Sequence, residues 1–151
     1  MQTRREALKQ SMAVAGLLAA TGLFPQHAFA FNKAAFDAKS VADAVKAYGG
    51  GAPVESKDVA LTAPDIAENG AVVPMAAATT LAGVKHLLVL VEKNPNALVA
   101  KFDVSDAVEA SFSTRAKMGQ TSDVYAVAIT ADGKAFYTKK EVKVTLGGCG
   151  G

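Results

Sequence analysis

Cys149 is the only cysteine in this chain of 151 residues, and it stands in Gly147-Gly148-Cys149-Gly150-Gly151, the last five residues of the sequence. A thiolate is a nucleophile and a metal ligand. Free structural cysteines are usually buried. Here four glycines remove every side chain that would shield or pin the sulfur, and they leave the backbone its widest range of φ and ψ. The pattern predicts an accessible thiol on a short tether. Five extended residues span roughly 17 Å, at about 3.3–3.6 Å per residue.

Other chemistry-bearing residues are few. His27 and His86 are the two histidines. His86 precedes Leu87–Leu90 at the start of an expected buried strand, which predicts a structural role. A metal site would need further ligands at matched spacing. The sequence has no C-x-x-C and no paired histidines. Gly49-Gly50-Gly51 lacks the lysine and the strand–helix context of a phosphate-binding loop. Cys149 and His86 have the types for a nucleophile and its base. A terminal tail does not hold a nucleophile at the fixed distance and angle that such a pair needs. No catalytic residue, metal or cofactor is therefore expected. Lys139, Lys140, Glu141 and Lys143 read as a solvated face. Lysines near the tail favour a thiolate, whereas the carboxylate at Gly151 works against one.

The other end sets the compartment. Thr3-Arg4-Arg5-Glu6 carries an arginine pair, an apolar stretch runs from Met12 to Phe24, and Ala28-Phe29-Ala30 places small residues at the cleavage positions. This predicts a twin-arginine signal peptide over residues 1–30, removed on export to the periplasm. The apolar run is short for a membrane span and stops at Pro25. The expected mature chain, Phe31–Gly151, has 121 residues and suits one domain with one core. Removing Arg4, Arg5, Lys9 and Glu6 from the 16 basic and 14 acidic residues leaves 13 of each. No basic field then remains to attract nucleic acid or an anionic membrane. Exported proteins usually pair their cysteines. A single one implies an intermolecular bond or a reactive thiol. The twin-arginine route exports folded proteins, so a complex with a small partner that lacks its own signal is also expected.

Among the elements that must position this tail, Lys33–Tyr48 has helical periodicity and stops at Gly49-Gly50-Gly51, which with Pro53 reads as a linker. Strands are predicted at Asp58–Thr62, Ala71–Ala76, His86–Val91, Leu98–Asp103, Ala110–Lys117, Ser122–Thr130, Lys134–Lys139 and Lys140–Thr145. Turn signals lie at Asn69-Gly70, Asn94-Pro95-Asn96, Gly119 and Asp132-Gly133, the last joining a hairpin. Tyr125, Val127 and Ile129 share a face, and Val142, Val144 and Leu146 repeat the alternation. This pattern predicts an all-β, immunoglobulin-like β-sandwich preceded by one helix, with a small barrel as the alternative. The expected organisation is a signal peptide (1–30), a helix with a glycine linker (31–51), the sandwich (52–146) and a flexible arm (147–151).

Val142–Gly151, with its Gly-Gly-Cys-Gly-Gly ending, resembles the C-terminus of the SoxY family, the sulfur carriers of the bacterial thiosulfate-oxidising system. Ala67–Pro74, Glu92–Asn96, Ser113-Thr114-Arg115 and Lys117-Met118 are similar to the same family. The resemblance implies a heterodimer with a smaller all-β subunit, SoxZ, and covalent attachment of substrate to Cys149. Gly147, Gly148, Gly150 and Gly151 would form the swinging arm. It further implies transient contact with a c-type cytochrome that couples thiosulfate to the thiol, with a sulfate-releasing hydrolase and, where present, with a sulfane dehydrogenase. The carrier itself is not an enzyme. The alternative is an exported structural module whose Cys149 makes an intermolecular disulfide. A ubiquitin-like sulfur carrier is disfavoured by the export signal, and prenylation by the two residues that follow Cys149 where three are required.

Overall fold

The computed structural model describes residues 32–145. The expected signal peptide and the arm with Cys149 lie outside the described residues. Within them the chain is mostly β-structure with two short helices, α1 (Lys33–Phe36) and α2 (Val41–Ala47).

The expected single helix is thus divided. The break follows from two N-caps. Asn32 Oδ1 accepts from the Ala35 amide at 3.2 Å, and Ser40 Oγ accepts from the Asp43 amide at 3.1 Å. A serine that satisfies the first turn of a helix starts a new one. The stop after α2 is as expected. Gly49 adopts φ +76°, its amide donates to Lys46 O, and the Gly50 amide donates to Val45 O. These two bonds satisfy carbonyls of the last helical turn. The Gly51 amide then donates to Gly133 O at 2.8 Å, so the glycine run seals the helix end onto the sheet.

Nine strands follow: β1 (Val54–Glu55), β2 (Val59–Thr62), β3 (Ile66–Ala67), β4 (Val73–Thr79), β5 (Val84–Val91), β6 (Leu98–Asp103), β7 (Ser111–Ala116), β8 (Ser122–Thr130) and β9 (Ala135–Val144). The large sheet has the order β1-β9-β8-β5-β6, with β3 also on β9, and β2-β4-β7 form a second sheet. The two runs expected over Lys134–Thr145 form one strand, paired without interruption with β8 from Ala135 to Val142, and the lysines at their junction find partners. Lys139 Nζ bonds Asp123 at 2.7 Å, and Lys140 Nζ bonds Asp65 at 2.8 Å. The Asp132-Gly133 hairpin is present, with Thr130 N donating to Lys134 O at 2.9 Å.

Two cores lie on opposite faces of the large sheet. Leu87, Val89, Val91, Val124, Ala126 and Val142 face the small sheet, where Val59, Val73, Met75 and Ala77 meet them. On the other face Leu88, Leu90, Val127 and Ile129 pack under Ala35, Ala44 and Val45 of the helices. The layers are therefore helices, large sheet and small sheet. The unbroken apolar run of β5 follows from burial on both faces, as in any strand covered twice.

Candidate functional site

The described residues end at Thr145, two residues before Gly147, where the expected arm begins. β9 holds its last residues by hydrogen bonds on both flanks. On one side it pairs in parallel with β3, Ile66 opposite Lys143 and Ala67 opposite Val144. The Lys143 amide donates to Asp65 O at 3.0 Å, and the Thr145 amide donates to Ala67 O at 3.1 Å. On the other side Val144 N donates to Thr121 Oγ1 at 3.0 Å. Successive amides of a strand point to opposite edges, so both edges of β9 are occupied up to Thr145.

The turn after β3 completes this clamp. Asn69 Oδ1 accepts from the Ala71 amide at 2.9 Å, a local bond characteristic of asparagine turns. Gly70 then passes so close to its neighbours that an added Cβ would collide with Met118 O and lie 2.8 Å from Val144 Cγ1. Its carbonyl accepts from Met118 N at 2.7 Å. The Asn94 loop joins the same end, with Nδ2 donating to Lys117 O at 2.8 Å. Lys93 N donates to Ser122 Oγ at 3.0 Å. Three loops thus gather around the last residues of β9.

Cys149, Gly147, Gly148, Gly150 and Gly151 lie outside the described residues. His86 sits at the other end of β5 from Val91, which pairs with Val124, and Val124 in turn pairs with Lys140 of β9. About 17 Å of strand separates His86 from Val91. Its Nδ1 is 2.8 Å from Asp103 Oδ1, and its ring lies 5.4 Å from that of Tyr48. Desolvation pushes the Asp103 carboxyl up, but hydrogen bonds from Lys101 and His86 outweigh it and hold the carboxyl below its ordinary range. Burial, with help from the Asp103 charge, pushes the Tyr48 phenol up. This cluster ties β5, β6 and the end of α2 together. Among the described residues no group of three His, Cys, Asp or Glu side chains is arranged to hold a metal ion.

Residues 44–149 match the family described as sulfur oxidation protein SoxY. The chain belongs to the SoxY family. Its fold is similar to that of the sulfur carrier protein SoxY from Chlorobium limicola f thiosulfatophilum, with 36% identity over 69% of this chain and 94% of that one, at a TM-score of 0.61. It is also similar to superoxide reductase (neelaredoxin) from Ignicoccus hospitalis, at 13% identity and a TM-score of 0.51, covering 58% of this chain and 80% of that one. The second likeness shows the fold alone. A comparison with curated protein sequences finds no match.

The stretches that resemble the SoxY family in sequence come together in space. Ala67–Pro74 carries the clamp on β9, Glu92–Asn96 is the loop bonded to Lys117, and Met118 meets Gly70. Sequence reading found Asn69-Gly70 as a turn without finding what the turn holds. It did not find β3 or the role of Thr121. Two residues are too few to show alternation, and a threonine in a loop carries no local sign of the amide it will accept.

Proposed function

We propose that this chain is a non-catalytic carrier that holds thiosulfate-derived sulfur intermediates covalently on Cys149 and presents them to the enzymes of thiosulfate oxidation. The observation that carries the reading is the SoxY family match, which extends through position 149. The structure of β9 supports it. A carrier needs a fixed body and a thiol beyond the body's own reach, and the strand is bonded on both flanks up to the residue where the tail starts. The family's solved carrier adds chemical sense to a lone cysteine set among four glycines.

In this reading the sandwich is of immunoglobulin type and Gly147, Gly148, Gly150 and Gly151 are the arm. Glycine lacks the bulk that would stop a chain from threading a narrow entrance. Covalent retention keeps an intermediate at high effective concentration between successive active sites. The chain works in the periplasm after twin-arginine export, as a heterodimer with a SoxZ-like subunit. It meets a c-type cytochrome for loading, a hydrolase for sulfate release and a sulfane dehydrogenase where the system has one.

Replacing Cys149 with Ser tests this directly. The variant is expected to fold as wild type and to bring thiosulfate-dependent electron transfer in a reconstituted system down to background. Intact mass spectrometry of the wild-type chain should show sulfane and thiosulfonate adducts that a reductant removes. Retained turnover in the variant, or disulfide dimers as the sole modified form of the wild type, would sink the proposal.

A further inference from the structure

Asn69-Gly70 is the one asparagine–glycine pair in the sequence, and the turn it forms holds the end of β9. A main-chain nitrogen that follows an asparagine can attack the side-chain amide carbon. Glycine makes the attack easiest, because no Cβ hinders it and φ and ψ are free to adjust. The sequence has four asparagines, Asn32, Asn69, Asn94 and Asn96. The structure sets Asn69 apart from the other three.

Asn94 is followed by Pro95, whose ring nitrogen has no proton to lose. Asn96 is followed by Ala97, whose amide is engaged with Ala38 O at 2.9 Å, and Asn96 Oδ1 is held by Lys39 Nζ. Asn32 is held at both side-chain atoms. Its Nδ2 donates to Ala47 O at 2.7 Å, and its Oδ1 accepts from Ala35 N. At Asn69 the reacting groups are free. The side chain is exposed, and neither Nδ2 nor the Gly70 amide has a hydrogen-bond partner among the described residues. The one bond present assists the reaction. Oδ1 accepts from Ala71 N at 2.9 Å, which draws electron density away from Cγ. The ring closed by that bond contains both Cγ and the Gly70 nitrogen and keeps them near each other.

We propose that Asn69 is a site of spontaneous deamidation and that its product loosens the end of β9. The Gly70 nitrogen, having lost its proton, forms a bond to Asn69 Cγ, and the Cγ–Nδ2 bond breaks to release ammonia. Water opens the resulting succinimide at either carbonyl, giving aspartate or isoaspartate. The net change is amide plus water to acid plus ammonia, so no oxidant, reductant or enzyme is required. In isoaspartate the main chain runs through Cβ and is longer by a methylene. Gly70 has no room for that displacement. Its carbonyl accepts from Met118 N at 2.7 Å, and its Cα faces Met118 O and Val144 Cγ1 too closely for a Cβ. Ala67, two residues before Asn69, accepts from Thr145 N at 3.1 Å. The disturbance therefore reaches the last bonds of β9. The proposal does not depend on the carrier reading.

The test ages the full mature chain in heavy-oxygen water, at neutral and at mildly alkaline pH, and maps it by peptide mass spectrometry. Heavy oxygen is expected at position 69, with isoaspartate among the products, at a rate that rises in proportion to hydroxide. Asn32, Asn94 and Asn96 should keep their amides. Hydrogen exchange at Lys143 and Thr145 should quicken in step with the conversion. Asn69→Ser keeps a side-chain acceptor for Ala71 and should show neither change on ageing. If Asn69 survives in the folded chain while an unfolded peptide of residues 66–73 is converted, the turn protects the site and the proposal falls. Aspartate without isoaspartate excludes attack by Gly70 and overturns it equally. Conversion with unchanged exchange, or the same quickening in aged Asn69→Ser, overturns the link to β9.

Discussion

A methyl group at Gly70 has no free place to go. It would run into the Met118 carbonyl oxygen, which is main chain and cannot rotate aside, and it would crowd Val144 Cγ1. Gly70→Ala is therefore expected to destabilise the protein by about 1–3 kcal/mol, the usual cost of overpacking. The urea midpoint should fall accordingly, and hydrogen exchange at Lys143–Thr145 should quicken more than in β5. A midpoint unchanged from wild type would mean that the turn relaxes without strain. At this scale the sequence was legible in one direction only. Cys149 stands out because its neighbours have no side chains at all. The residues that hold the end of β9, Gly70 and Thr121, look like ordinary loop residues, since their importance lies in a backbone oxygen and an amide contributed by distant segments.

Between elements, Asp103 shows how a paired side chain ties two strands. It lies on β6 opposite His86 of β5 and bonds both His86 and Lys101. Because its folded-state pKa is depressed, its contribution is present above the unfolded value near 3.9 and is lost as pH falls through the lower folded value. Denaturation of wild type and Asp103→Asn should differ at pH 7 and converge in strong acid. A difference that stays constant to pH 2 would place the effect outside the carboxylate. The two full-length strands that flank this region, β6 and β8, match their expected bounds, as their apolar alternation and turn residues are local properties. The division of the helix was not legible, because periodicity carries across Ser40 while the capping bond does not announce itself. β1 and β3 exist as two-residue parallel partners of β9. Only tertiary contact makes them strands.

Across the whole molecule, the described hydrophobic clusters draw on residues from Ala35 to Val144. A chain ending at Thr145 is expected to melt within about 2 °C of the full mature chain, since 1 kcal/mol corresponds to about 4 °C in a domain of this size. Calorimetry would check this, and a drop of 8 °C or more would show that the tail belongs to the folding unit. The doubly flanked end of β9 has a mechanical consequence. A pull applied through the tail enters at Thr145 and runs along the strand, while the bonds to β8 and β3 lie across that direction. The load falls on them in shear, so they must rupture together and not one by one like the teeth of a zipper. A strand loaded in this way resists a pull along its axis better than one lifted from its end.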